Sequence, residues 1–171
     1  LALTRGRPDL TLALDVFDPE PNIPVELARA AHFVSPHVAG YSLEGKLEGT
    51  RMVREALGRS LHLPRWDLPA GETSPLSVAA IRLPDSEPVS TESDEWDALC
   101  ALITAAWSPL GDDARLRETL ELPEAERGFA FDRLRKEYPV RLEWRHRPVV
   151  GAALLPPRTW SMAQRLGFVS A

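Results

Sequence analysis

Sixteen prolines are spread through the 171 residues of this chain. Each proline fixes φ near −65° and removes a backbone donor, which closes helix interiors and central strands to it. A chain interrupted this often must fold as several short elements joined by stiff loops. Hydrophobic residues make up 44% of the sequence, enough to build a core and to argue against global disorder. The length suits one medium domain or pieces of two. The chain opens at Leu1, inside an apparent α/β unit, and reads as a fragment of a longer protein.

Charge and cysteine content narrow the function classes. The formal net charge of −5 argues against a nucleic-acid backbone as the main partner, although local cations can still hold a small anion. Cys100 is the single cysteine, so no internal disulfide forms, which fits a reducing cytoplasm. No apolar run approaches the roughly 20 residues that span a bilayer, so no membrane partner is expected. No histidine and cysteine spacing suggests a zinc site, so no metal is expected.

Along the chain, residues 11–16 read T-L-A-L-D-V, a short apolar run of the kind buried on both faces in a parallel sheet. Asp18-Pro19-Glu20-Pro21-Asn22 breaks it. Residues 25–31 predict a short helix and residues 33–35 the next strand, stopped by Pro36. The order strand, loop, helix, strand is that of the tail of a doubly wound, Rossmann-like α/β domain. Ser42 is a good N-cap for a helix over 43–57, with Gly58 as its stop. Residues 64–75 hold three prolines and predict a linker, and residues 76–83 a strand.

A second unit follows. Trp96, Leu99, Cys100, Ile103 and Trp107 fall on one predicted helix face, with Ser93 as a candidate cap. Asp112 or Asp113 is expected to cap a helix through Leu120, and Pro123 to open another through about Lys136. Residues 141–144 and 149–154 predict strands, and residues 157–166 a last helix ended by Gly167. The domains expected are 1–42, the end of a nucleotide-binding fold; 43–85, a returning helix, linker and strand; and 86–171, a small α+β domain. The five tryptophans read as core or interface anchors. Leu134-Arg135-Lys136 and the later arginines read as a solvated face, with contact to an anionic ligand as the lesser alternative.

The densest candidate chemistry lies between Asp15 and Tyr41. Asp15 ends a strand, where ligands of doubly wound folds bind; it could accept a hydrogen bond from a cofactor or simply start a turn. Glu20 sits in a rigid Pro-Glu-Pro frame, and His37 in S-P-H-V-A-G-Y. Hydride transfer from an alcohol needs a base for the hydroxyl proton, and a histidine paired with a carboxylate suits that task. The plainer alternative is a loop histidine beside a solvated glutamate. Gly40 permits close approach of a ligand, or only an unusual backbone angle. The G-x-G-x-x-G phosphate loop of dinucleotide folds does not occur in the chain.

The stretches A-L-D-V-F-D-P-E-P and S-P-H-V-A-G-Y resemble the closing motifs of the D-2-hydroxyacid dehydrogenases, including the 22-residue separation of Asp15 and His37. G-Y-S-L-E-G-K, then D-D-A-R-L-R, F-D-R-L-R-K-E-Y and L-E-W, resemble the subgroup that acts on erythronate 4-phosphate, in its active-site tyrosine and its own C-terminal dimerisation domain. The resemblance implies NAD-dependent oxidation of a small phosphorylated hydroxy acid, 4-phospho-D-erythronate, in vitamin B6 biosynthesis, by a cytoplasmic homodimer. It implies His37 as acid/base on the C2 hydroxyl and Glu20 as the residue that orients it. Asp15 and Gly40 would lie at the cofactor, and Tyr41 at the substrate. Phe17 stands where the family commonly has tryptophan. The substrate-binding arginine and the glycine-rich loop are expected upstream of this chain, so the fragment alone is expected to be inactive. Two alternatives remain: another member of the same superfamily, or a non-catalytic dimerisation module.

Overall fold

The computed structural model describes residue 7 and residues 9–62, 80–82 and 92–171. It is a mixed α/β structure that divides into two compact units, each assembled from two stretches of chain. The first contains Leu1–Tyr41 and Ser108–Val140, the second Ser42–Trp107 and Arg141–Ala171.

In the first unit, strand β1 (Ala13–Leu14) pairs in parallel with β2 (Phe33–Val34), Ala13 opposite Phe33. Helix α1 (Val25–Ala30) makes the crossover that a parallel pair requires. The predicted strands are shorter than their apolar runs. The backbone leaves the ladder at Asp15, and at Ser35 just before Pro36, so only two residues on each side remain paired.

Two later helices of this unit, α4 (Leu110–Leu120) and α5 (Glu124–Lys136), complete its core. Phe17, Ala28, Val34, Leu116, Leu120 and Phe131 are buried together. Asp113 ties α4 to the sheet by accepting from the Val34 amide at 2.8 Å, and Arg117 donates to the Ala31 carbonyl at 3.0 Å. Burial pushes the Asp113 carboxyl up, but the hydrogen bonds from Arg117 and the Val34 amide outweigh it and hold the group below its ordinary value. Neither Asp112 nor Asp113 caps α4, which begins at Leu110 with Pro109 before it. Both aspartates stand in the first turn, where the helix dipole favours them; their oxygens accept from Arg115 and Arg117 of the same helix and, beyond it, from the Tyr138 hydroxyl and the Val34 amide. Pro123 stands at the N-cap of α5, one position earlier than expected.

In the second unit, Ser42 caps α2 (Leu43–Ser60), its Oγ accepting from the Gly45 amide at 3.0 Å. The helix passes through Gly58, whose φ is not positive. A glycine inside a helix weakens it by about 1 kcal/mol relative to alanine without forcing an end. Strand β3 (Ile81–Arg82) pairs in parallel with β4 (Val149–Val150). Helices α3 (Glu92–Ala106) and α6 (Pro157–Arg165) pack over this pair. The core is Ile81, Leu99, Leu102, Ala106, Val149 and Phe168, with the Trp144 ring stacked on Phe168 at 4.7 Å.

The segment predicted as a strand over 149–154 ends at Val150, because Gly151 adopts φ +83° and turns the chain into a 3₁₀ turn, Ala152–Leu154. Of the strand predicted over 141–144, only a bridge from Arg141 to Ser42 forms; Trp144–His146 is a second 3₁₀ turn. Gly167, at φ +99°, ends α6 as its sequence indicated. Because α3 opens at Glu92, Ser93 lies inside the helix, not in front of it. The predicted linker 64–75, with Trp66, lies outside the described residues, as does all of the strand predicted over 76–83 except residues 80–82.

Candidate active site

The site is built on the two loops that leave the carboxyl ends of β1 and β2. Asp15 is the first residue past β1 and clamps the loop after β2. Its Oδ1 accepts from Ser35 Oγ at 2.6 Å and from the Val38 amide at 2.8 Å. The Ala39 amide stands 3.2 Å from both oxygens and is the donor that reaches Oδ2 among the described residues. A carboxylate oxygen carries two lone pairs, so Oδ2 retains acceptor capacity for a ligand donor.

That clamp holds His37 in an uncommon conformation. Its φ is +57°, in the left-handed region that L-residues rarely occupy. Such a residue persists only where its surroundings over-determine it. Here the His37 amide donates to the Ser35 carbonyl at 3.0 Å, and the next two amides are held by Asp15. The consequence is directional: the imidazole turns toward the loop after β1.

There His37 Nδ1 meets Glu20 Oε2 at 2.9 Å. An ionised carboxylate only accepts, so Nδ1 carries the proton, and Nε2 of the neutral ring is the acceptor. No partner occupies Nε2 among the described residues. The histidine side chain is 42% exposed and the glutamate 16%, so the ring can be reached from outside while its carboxylate cannot. Burial pushes the Glu20 carboxyl up. Hydrogen bonds from His37 and from the Phe17 amide, with the positive charge of Arg135, outweigh it and hold the group below the ordinary carboxylate value. Glu20 is thus favoured in its ionised form.

Gly40 and Tyr41 follow in the same loop. A Cβ at Gly40 would meet nothing within 4 Å, and its φ is not positive, so the fold itself makes no demand for glycine and leaves open space there. The Tyr41 ring stands edge-on to Tyr138 at 5.8 Å, and its hydroxyl receives Arg135 Nη2 at 3.4 Å.

All five residues singled out from the sequence, Asp15, Glu20, His37, Gly40 and Tyr41, lie on these two loops. The sequence reading missed Ser35, which orients Asp15, and Arg135. The sequence places Arg135 on a solvated face, yet its side chain is 29% exposed, and Nη1 lies 3.7 Å from Glu20 Oε2. Its signal was present as helical spacing, since Phe131, Arg135 and Tyr138 share one side of α5 and its end. Nothing local marked that side as facing inward. Among the described residues, no group of three or more His, Cys, Asp or Glu side chains can hold a metal ion, and no helix is long and apolar enough to cross a membrane.

Comparison with known proteins adds two findings. A family model described as a domain of unknown function, DUF3410, matches residues 85–163. The chain is also similar to proteins named erythronate-4-phosphate dehydrogenase. It is 41% identical to that of Marinobacter nauticus over 133 residues, 78% of this chain and 33% of the relative. The protein from Ectopseudomonas mendocina is 41% identical over 142 residues, 80% of this chain and 35% of the relative. That from Hahella chejuensis is 43% identical over 133 residues, 77% of this chain and 33% of the relative. The match falls in their C-terminal part, and the chain spans about a third of the length of these curated relatives.

Proposed function

We propose, from the premise that this chain belongs to the erythronate-4-phosphate dehydrogenase family, that it supplies the acid/base half of an NAD-dependent dehydrogenase active site. The substrate is 4-phospho-D-erythronate and the product its 2-oxo acid, (R)-3-hydroxy-2-oxo-4-phosphooxybutanoate, a step of vitamin B6 biosynthesis. The observation that carries this reading is the His37–Glu20 contact of 2.9 Å, with Nε2 turned outward.

Oxidation removes a proton from the C2 hydroxyl and a hydride from C2. His37 Nε2 takes the proton. Glu20 holds the Nδ1–H tautomer that leaves Nε2 basic, and its charge faces the imidazolium as it forms. NAD, when bound, supplies the hydride acceptor. Asp15 Oδ2 and the open space over Gly40 suit the nicotinamide end of that cofactor, which brings a carboxamide donor and a flat ring. Tyr41 faces the substrate. The chain has no glycine-rich phosphate loop, so cofactor binding and turnover belong to the longer protein.

The same premise makes the protein a cytoplasmic homodimer, residues 1–42 the end of a Rossmann domain, 43–85 the return to a substrate domain, and 86–171 the dimerisation domain. Strongly exposed apolar side chains at Leu110 and Phe129, both in the first unit, support a partner surface there.

The test uses the full-length enzyme containing this chain, assayed for NAD reduction with 4-phospho-D-erythronate. His37→Ala should lower kcat by at least about 100-fold, the usual scale for a lost general base. Near-normal turnover by the variant would remove His37 from the mechanism. A preference for lactate or 3-phosphoglycerate as substrate would replace the proposed one.

A further inference from the structure

One side of α5 lines the back of the Glu20 loop. Gly128 is buried, and a Cβ there would stand 2.4 Å from Asn22 Oδ1 and 3.5 Å from Pro21 Cγ, so helix and loop meet closely. Three residues on, Phe131 meets Phe17 edge-on at 6.5 Å. Arg135 follows at the next turn and reaches both Glu20 and the Tyr41 hydroxyl. Its Nε is buried and has no hydrogen-bond partner among the described residues. The row therefore ends in a half-buried guanidinium that, among the described residues, is engaged through its two terminal nitrogens.

The Glu20 carboxylate is oriented from three directions. Its Oε1 receives the Phe17 amide at 2.9 Å, its Oε2 receives His37 Nδ1 at 2.9 Å, and Arg135 Nη1 stands behind Oε2 at 3.7 Å. That last distance is an ion pair, not a hydrogen bond, so Arg135 acts on Glu20 through charge without competing for the lone pair that His37 uses. The charged and titratable groups that face Glu20 among the described residues are His37, from the loop after β2, and Arg135, from α5.

We propose that Arg135 is a positioning residue for the His37–Glu20 pair: its guanidinium keeps Glu20 ionised and aimed at Nδ1, and ties Tyr41 to the same support. Its catalytic consequence rests on the dehydrogenase reading above; its electrostatic consequence does not. A cation behind Oε2 stabilises the carboxylate against protonation. Loss of that cation raises the pH at which Glu20 takes up a proton, and a protonated Glu20 no longer enforces the Nδ1–H tautomer.

The test has two arms. In the 171-residue chain, the Glu20 carboxyl is titrated by carbon-13 NMR in the wild type, Arg135→Met, Arg135→Gln, Arg135→Lys and Arg133→Met. Both neutral substitutions at Arg135 should raise the Glu20 midpoint by about half a pH unit or more. Lysine should restore it in part. Arg133→Met, which removes the same charge from an exposed position on α5, should leave it in place. Arg135→Gln retains a donor for Tyr41, so it provides a folded charge-deletion variant if the methionine variant does not fold. In the full-length enzyme, the neutral variants should lower kcat about tenfold or more with the KM for the hydroxy acid within about twofold, as lost alignment of a base requires. An unchanged Glu20 midpoint in a folded neutral variant overturns the proposal. So does a raised KM with unchanged kcat, which would make Arg135 a ligand of the substrate's anionic groups. If the wild-type enzyme fails to oxidise the proposed substrate, the dehydrogenase reading falls, and the Glu20 titration alone decides the role of Arg135.

Discussion

Asp15 shows how much one side chain can determine. Its two oxygens organise Ser35, Val38 and Ala39, and so hold the left-handed backbone of His37 between them. The histidine is then aimed at Glu20, which lies 17 residues earlier in the chain. That arrangement couples the site to folding stability. The folded carboxyl of Glu20 lies below its ordinary value. Its stabilising contribution is therefore complete above the unfolded carboxylate value and is lost as pH falls through the folded one. Glu20→Gln has no such group to titrate. Urea unfolding at about pH 6 and about pH 3.5 should show the wild type losing more stability on acidification than the variant. Equal losses would mean that the pair contributes nothing to folding.

Among the elements, α3 shows where periodicity misleads. Its predicted face ran through Trp96, Leu99, Cys100, Ile103 and Trp107. The face that packs runs through Leu99, Leu102 and Ala106, with Ile103 at its margin, while Trp96 is 59% exposed and Cys100 is exposed. The helix carries apolar residues around most of its circumference, so hydrophobicity alone does not choose its inward side. Contact with β3 and α6 does. Leu102→Ala should cost about 2–5 kcal/mol, the range for a fully buried leucine. Trp96→Ala should cost no more than about 0.5 kcal/mol in the isolated chain, as for an exposed position. Denaturant midpoints of the two variants measure the difference, and a larger loss at Trp96 would restore the face read from the sequence.

At the scale of the whole molecule, each compact unit draws on both halves of the chain. Residues 108–140 complete the core around β1 and β2, and residues 141–171 that around β3. A truncation at residue 86 would cut through both units, so the proposed dimer is best tested on the full 171 residues. Sedimentation equilibrium at tens of micromolar should give a mass near twice 19.0 kDa. A C2 interface presents the same patch from both copies, and Phe129, 84% exposed, is a good reporter of it. Phe129→Asp should shift the equilibrium toward monomer without changing the fold. A folded wild-type monomer at those concentrations would reject the assembly.

The five candidate residues stand out in the sequence because their signals are local. An apolar run ends at Asp15, prolines frame Glu20, and His37 follows a proline that stops a strand. Ser42 and Gly167 were legible for the same reason, since a cap and a left-handed stop depend on the residues beside them. The partners were not. Arg135 lies 115 positions beyond Glu20, and Asp113 lies 79 beyond Val34. Whether a charged residue on a polar helix faces water or a carboxylate is decided by which surface the helix packs against. Burial of Phe131 against Phe17 turns α5 so that Arg135 faces Glu20. Local chemistry along the chain therefore determined which residues could react and where the backbone turns, whereas tertiary packing decided what stands behind them, because that depends on burying apolar surface from segments distant in sequence.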